Sequence, residues 1–235
     1  MDAHHLSKRL AKVAEYVPKG ARLADIGSDH AYLPAYLALN HVIDYGIAGE
    51  VVKGPYDNAV QEIKDEDLEG IIYPRLADGL DAIKATDQID TITICGMGGT
   101  LIRKILNNGK AKLQNHPLLI LQPNVGSDLL RQWLFEHHYQ ITNEDIIDED
   151  HHIYEIIVAK YADEVKPLSS LDLKYGIFLR QNQTSSFKKK WQKEIDKNNK
   201  AIEQMRQAKK VPQAKIDQLE EENNQIKGVL ENDNG

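Results

Sequence analysis

Along the first 161 residues, apolar positions come in short runs, each closed by an acidic, glycine-rich or amide-bearing turn. Ala21 to Ile26 is such a run, closed by Asp25 and Gly27, and Ala31 to Leu39 follows with helical character. A buried strand, a tight turn and a helix account for this order. Gly46 to Val52 predicts a second strand with Glu50 near its end. Ile71 to Ala77 predicts a third, closed by Asp78 and Gly79. Asp90 to Cys95 predicts a fourth that runs into Gly96, Met97, Gly98 and Gly99, and Leu118 to Leu121 a fifth that ends in Gln122-Pro123-Asn124. Asp128 to His138 places Leu129, Leu130, Trp133 and Leu134 on one helical face. Ile141 to Ile147 and Ile153 to Tyr161 are two strands with no helix between them, which implies an antiparallel addition to a parallel sheet. The expected fold class is α/β, with a Rossmann-like, mostly parallel sheet ending in an antiparallel hairpin.

Beyond Tyr161 the pattern changes. Ala162 to Pro167 reads as a linker, and Lys, Gln, Glu and Asn dominate after it. Trp191, Ile195, Asn198, Ile202 and Met205 are spaced 4, 3, 4, 3; Ile216, Leu219, Asn223, Ile226 and Leu230 are spaced 3, 4, 3, 4. Those are coiled-coil seams. Val211-Pro212 breaks the helix between them, and folding back there pairs Met205 with Ile216, Ile202 with Leu219, Ile195 with Ile226 and Trp191 with Leu230. Asn198 then faces Asn223. A buried Asn opposite Ile would lose its hydrogen bonds, so the match favours an intramolecular antiparallel hairpin over two independent helices or a parallel intermolecular coil. The expected domains are residues 1–163 and a helical coiled-coil domain, residues 164–235.

Composition narrows the setting. No apolar run reaches membrane-span length, the first residues lack the apolar core of a secretory signal, and the single cysteine, Cys95, suits a reducing cytoplasm. Cys95 reads as a small apolar residue rather than a nucleophile. The nine histidines show no ligand spacing, since His4-His5, His137-His138 and His151-His152 are adjacent pairs, and no metal site is expected. Net charge is −7, unevenly spread: residues 180–210 carry +7, residues 211–235 carry −4, and the rest −10. An acidic body with a basic arm fits a protein that holds a polyanion with one appendage. Lys188, Lys189, Lys190 and Lys193, beside Phe187 and Trp191, are the candidate phosphate contacts, and Lys8, Arg9 and Lys12 extend them. A plainer origin also exists, because a Lys-rich helix pairs with a Glu-rich one across a coiled coil.

In a doubly wound sheet, ligands sit at the carboxyl ends of the strands. Asp25, Gly27, Ser28, Asp29 and His30 form the first such turn, with carboxylates where a pyrophosphate would need bare N–H groups. The turn therefore suits a ligand with positive charge and no phosphate, such as S-adenosyl-L-methionine. Glu50 stands where an acid holds ribose hydroxyls, about 20 residues or more past the first turn. Asp78 and Gly79 would meet the adenine, and Gly96, Met97 and Gly98 form a loop with little bulk. One Gly between two acids is common in α/β proteins; the succession of such turns is not. Three readings remain open from the residues: a methyltransferase on nucleic acid, one on a protein or small molecule, and a non-catalytic nucleoside-binding adaptor with a partner site on its coiled coil.

DIGSDHAYLP, the ICGMGG loop, the QPN turn and the C-terminal helical hairpin together resemble the bacterial tRNA (adenine-22-N1)-methyltransferase family, over nearly the whole chain. The resemblance implies a class I methyltransferase domain with a coiled-coil domain, S-adenosyl-L-methionine as cofactor, and tRNA as partner. Adenine N1 is unprotonated near neutral pH, so its methylation needs no strong base. It needs the base unstacked, N1 aligned with the methyl group, and the cationic product stabilised. Asp29 is the first candidate for accepting from the adenine amino group, with binding the methionine end of the cofactor as its alternative role. Gln122 and Asn124 stand where DNA amino-methyltransferases use an Asn/Asp-Pro-Pro-aromatic turn. QPNV lacks the aromatic residue, which leaves Tyr32 or His30 to stack on the base.

Overall fold

A computed structural model of the 235-residue chain describes residues 1–231; Asp233, counted above in the acidic tail, and the last residues of the expected second domain lie outside them. The chain divides into two compact units between Gly176 and Ile177.

The first unit is built on a seven-stranded sheet with strand order β3-β2-β1-β4-β5-β7-β6. β1 (Arg22–Ile26), β2 (Tyr45–Glu50), β3 (Ile72–Leu76), β4 (Thr91–Gly98) and β5 (Leu118–Val125) run parallel. β6 (Tyr139–Glu149) and β7 (His152–Tyr161) are antiparallel, with β7 inserted between β5 and β6. Leu23, Ile47, Ile92, Ile94 and Leu119 to Leu121 are buried along the central strands, as expected for strands covered on both faces. Helices α1 (Lys8–Glu15), α2 (Tyr32–Leu39), α3 (Lys53–Asp65), α4 (Gly99–Asn108), α5 (Ser127–Glu136) and α6 (Ser170–Tyr175) complete this unit. The Rossmann-like sheet with its antiparallel end is the fold read from the sequence, with strand limits moved by one to four residues at most ends.

Two features of this unit bear on the site. Ser7 caps α1 by accepting from the Leu10 N–H, and the Glu149 carboxylate at the end of β6 accepts from the Lys8 N–H at 2.6 Å and the Arg9 N–H at 3.2 Å. A carboxylate on a helix N-terminus answers both its free donors and its dipole, so α1 is fixed against β6 from its first turn. Further along, Arg131 of α5 is fully buried and donates to Glu144 and Glu155 at 2.7 Å each and to the Leu173 carbonyl at 3.0 Å. This cluster ties α6 to the first unit. Residues 164–176 therefore stand with the sheet, whereas the composition change placed the boundary after residue 163. Gly176 follows α6 with φ +82°, and a Cβ there would come within 2.8 Å of Arg131 Nη2 and Glu144 Oε2.

The second unit contains α7 (Ile177–Asn182), α8 (Ser185–Arg206) and α9 (Gln213–Glu231). Thr184 caps α8 through the Phe187 N–H. α8 and α9 fold back on each other around residues 207–212, and Ile202, Ile216 and Leu219 form one cluster of the seam. Asn198 Nδ2 donates to Asn223 Oδ1 at 3.0 Å, and Asn223 Nδ2 donates to Asn199 Oδ1 at 2.9 Å. The antiparallel register is thus the one the two asparagines require. One position differs: Val229 is buried and Leu230 only half-buried, so the last step of the α9 seam is three residues, not four.

Candidate active site

The carboxyl ends of β1 to β5 converge on a cavity of about 390 Å³. Asp25, Gly27, Asp29, Glu50, Asp78, Gly79, Gly96, Met97 and Asn124, all singled out in the sequence, line it.

The first turn is held tightly. The N–H groups of Gly27 and Ser28 both donate to the Gly49 carbonyl, at 2.8 and 3.0 Å, which clamps the turn to the end of β2. Gly27 has φ +73°, and an added Cβ would fall 2.0 Å from Met97 Cε, so the β4 loop closes over a bare backbone. His30 and Ala31 follow with φ +56° and +58°. Consecutive left-handed non-glycine residues are costly, about 1–3 kcal/mol each, and such strain collects at functional turns. Asp25 is buried, and Thr93 Oγ1 donates to its Oδ1 at 2.6 Å. Burial pushes its pKa up, opposed by the Thr93 hydrogen bond and the positive charge of Arg9. Glu50 Oε1 accepts from the Val51 and Val52 N–H groups at 2.8 and 2.9 Å, which fixes the carboxylate and leaves Oε2 outside those bonds. Asp78 begins the turn at residues 79–82, which Arg75 of β3 supports by donating to the Ala82 carbonyl at 2.5 Å. Arg75 in turn meets Asp87, whose Oδ1 also accepts from Tyr45 Oη at 2.7 Å.

On the β4 and β5 side the polar groups are amides. Gln122 is fully buried, and its Oε1 accepts from the Gly96 N–H at 2.9 Å and from Arg9 Nη1. Its Nε2 donates to the Pro123 carbonyl at 3.0 Å. Gln122 thus braces the two loops and does not line the cavity, contrary to its expected direct role. Asn124 does line it; its Nδ2 donates to the Gly96 carbonyl at 2.7 Å, and its Oδ1 accepts from Gln122 Nε2 at 3.4 Å with one lone pair left over. Half-buried Cys95 forms part of the wall, and desolvation pushes its thiol pKa up, consistent with a neutral wall residue.

Several expected positions fall elsewhere. Ser28 is buried beneath the turn, Gly98 caps α4, and His30 and Tyr32 stack on each other at 5.1 Å and 7° without lining the cavity. The aromatic ring in the wall is Tyr154, at the start of β7. Val125, the residue that replaces an aromatic in the QPNV turn, is exposed. Arg9, grouped by sequence with Lys8 and Lys12, enters the cavity with its guanidinium 5.3 Å from the Tyr154 ring centroid. Lys12 instead pairs with Glu15 at 2.6 Å and Asp145 at 3.7 Å. In the second unit, Lys190 Nζ lies 5.0 Å from the Trp191 ring, and Lys193 shares one face of α8 with Lys197 and Lys200. Among the described residues no group of His, Cys, Asp and Glu has the arrangement of a metal site, and no helix is long and apolar enough to cross a membrane.

Four carboxylates around bare glycine loops fit a cationic, phosphate-free ligand with vicinal hydroxyls. Comparison with known proteins points the same way. The family model described as tRNA (adenine(22)-N(1))-methyltransferase matches residues 23–228. The tRNA (adenine(22)-N(1))-methyltransferase of Bacillus subtilis (strain 168) is 42% identical over 219 residues, 92% of each chain. Streptococcus pneumoniae Sp1610, solved in complex with S-adenosyl-L-methionine, superposes with a TM-score of 0.88 at 44% identity over 96% of this chain and 100% of that one. M. capricolum TrmK, solved with the cofactor product S-adenosyl-homocysteine, gives 0.85 at 30% identity over 97% and 98%.

Proposed function

The chain belongs to the tRNA (adenine(22)-N(1))-methyltransferase family, and on that premise we propose how its own residues carry out the transfer. The enzyme methylates N1 of an adenosine in tRNA with S-adenosyl-L-methionine as donor. The observation that carries the site assignment is the single cavity lined at once by Asp25, Glu50, Asp78 and the Gly96-Met97 loop.

Glu50 holds the ribose hydroxyls through the oxygen not used on Val51 and Val52. Asp78 and Gly79 receive the adenine. Asp25, Gly27 and Gly96 shape the methionine end, where only a glycine at position 27 leaves room. When bound, the cofactor supplies the electrophilic methyl group. The target adenine N1 already carries its lone pair, so the protein has to align and stabilise rather than deprotonate. Asn124 Oδ1 accepts from the adenine amino group and sets N1 toward the methyl. Tyr154 supplies the face on which the unstacked base rests. Asp29, at the solvent side of the turn, offsets the positive charge that the base acquires. Asp29→Asn should keep tRNA binding and slow single-turnover methylation about tenfold, the modest figure reflecting solvent screening at an exposed group. Collapse of cofactor affinity instead would assign Asp29 to the cofactor's ammonium group.

In the hairpin, Lys188, Lys189, Lys190 and Lys193 hold tRNA phosphates, with Lys8 and Lys12 as secondary contacts. Reversing the four α8 charges should weaken tRNA binding and flatten its salt dependence, with cofactor affinity unchanged. An unaltered salt slope would move tRNA recognition away from α8. The reading also places the enzyme in the cytoplasm, where tRNA and the methyl donor are found. Transfer of labelled methyl to unmodified bacterial tRNA, and its absence from the same tRNA with guanine at position 22, tests the function directly. Equal labelling of both tRNAs would overturn the assigned position.

A further inference from the structure

Among the described residues the most exposed large apolar side chain is Val125, at 71%. It follows Asn124, the amide in the cavity wall, and does not line the cavity itself. Its backbone is held from both sides. Val125 is the last residue of β5 and pairs with Gly98 of β4. Asn124 before it is tied to the Gly96 carbonyl, and Gly126 after it turns with φ +76°. A Cβ on Gly99 would fall 2.1 Å from the Gly126 carbonyl oxygen, so the start of α4 lies against this turn. The Val125 side chain approaches Gly98, where an added Cβ would stand 3.9 Å from its Cγ2. Leu101 of α4, in the cavity wall, is exposed as well. A valine is stiff at its one side-chain torsion. A fixed backbone thus presents a fixed apolar knob to solvent, beside the wall where the target base is seated in the reading above.

The reaction gives such a knob a task. Adenine N1 lies on the pairing edge of the base, so the base must leave its stack before the methyl group can reach it. The gap it leaves strips the stacking face from its former neighbours. Proteins that hold base steps open fill them with inserted apolar side chains. A polar side chain would lose its water in the gap, whereas a valine loses only contact with water. Val125 is one residue along the chain from the amide that accepts from the extruded adenine, so the gap opens next to it. Resting on the reading that seats the target adenine on Asn124 and Tyr154, we propose that Val125 enters the space the adenine vacates and packs on its former neighbours. It is a positioning residue. It touches no reacting atom, and it keeps the base out rather than activating it. The absence of an aromatic ring from the QPNV turn then has a reason: Val125 fills the RNA gap, and the ring for the base comes from Tyr154.

Single-turnover methylation by the full chain at saturating enzyme, on two tRNAs, tests this. One is the unmodified tRNA; the other is abasic at both nucleotides flanking the target, so the target has no stack to leave. Val125→Ser should slow transfer to the first about tenfold, a fraction of the cost of unstacking a base. Transfer to the second should stay within about twofold of wild type, as for an ordinary surface substitution. Affinity for S-adenosyl-homocysteine and the melting temperature should not change, since the side chain is exposed. Val125→Ile, which keeps the branched apolar group, should stay within about twofold on both tRNAs. 2-Aminopurine at the target position should brighten less on binding to the Ser variant than to wild type, because its fluorescence rises when it leaves the stack. Equal slowing on both tRNAs would show a defect in the turn, and no slowing on either would show that the knob meets no RNA; each overturns the proposal. So would equal brightening, or a loss of cofactor affinity in the Ser variant. Wild type that transferred no methyl to the unmodified tRNA would remove the reading of the function itself, a result distinct from all of these.

Discussion

The two halves of the cavity are built differently. Around β1, β2 and β3, each strand delivers its own carboxylate at its own end, in chain order: Asp25, Glu50, Asp78. Around β4, β5 and β7 the wall is assembled from an amide, a ring and a guanidinium that come from three distant parts of the chain: Asn124, Tyr154 and Arg9. The difference matches two recognition problems. In the proposed assignment, a cationic cofactor with hydroxyls meets fixed negative charge, whereas a neutral base meets an oriented amide and a π face. Their supports differ in kind as well. Arg75, Asp87 and Tyr45 hold the Asp78 turn by ionic contacts, and Gln122 holds the Asn124 side by neutral ones.

That contrast can be broken most sharply at Glu50. Glu50→Ala should weaken S-adenosyl-homocysteine about a hundredfold, the value of one or two hydrogen bonds to a charged group, and leave tRNA affinity alone; calorimetry showing unchanged cofactor affinity would dissolve the division. Asp87 comes next. Its carboxyl is held well below the usual range, chiefly by the Arg75 hydrogen bonds against the cost of burial. A lowered folded pKa adds stability that is present above about pH 4, the unfolded value, and is lost as pH falls through the folded one. Asp87→Asn should therefore cost about 2 kcal/mol at pH 7, and denaturant melts of mutant and wild type should converge below pH 4. A gap that stayed constant with pH would show that the contact is geometric rather than ionic.

On the other side the expected effects are on rate. Asn124→Ala should slow single-turnover methylation about twentyfold with cofactor affinity within about twofold, since one acceptor aimed at the reacting base is lost. Lost cofactor affinity would instead place Asn124 in the first half. Tyr154→Ala should slow the same step about tenfold and Tyr154→Phe hardly at all, because stacking is worth about 1–3 kcal/mol per base and needs only the ring. If Phe and Ala behave alike, the hydroxyl matters and the stacking role is wrong.

The two halves also differ in how far they could be read from the chain. Asp25, Glu50 and Asp78 were legible because a parallel strand's last residues must face the ligand edge, whatever the order of strands. Tyr154 was not, because β7 belongs to that edge only through its antiparallel insertion beside β5, and strand order leaves no local mark in sequence. Arg9 does carry a local signal. Lys8 and Lys12 are four apart and share a helical face, while Arg9 is turned about 100° from Lys8. Gln122 is the opposite case: an amide at the end of a strand suggests a direct role, and the structure turns it toward Gly96 and Arg9 behind the cavity wall. The hairpin was legible almost throughout, since its register is written in local spacing. Its error fell on the last turn, where Leu230 and Val229 are equally apolar and geometry alone chooses.

The docking of α1 has a consequence in time. The helix begins at residue 8, yet its fixing partner is Glu149 and its side chain at Arg9 closes on Gln122 and Tyr154. During synthesis the first helix can pack its Val13 and Ala14 face, with Val17 just beyond it, on α2 early, but the partners of its first turn follow only after more than a hundred residues. The strands β1 to β5 have all emerged before β6 and β7 supply Glu149 and Tyr154. The first turn of α1 and the Arg9 side chain are thus among the last parts of the first unit to be fixed, and the cavity stays open on one side until then. Contacts of such long sequence separation form late and slowly, so a nascent chain stalled after β5 would hold the carboxylates of the first half without the guanidinium that completes the second.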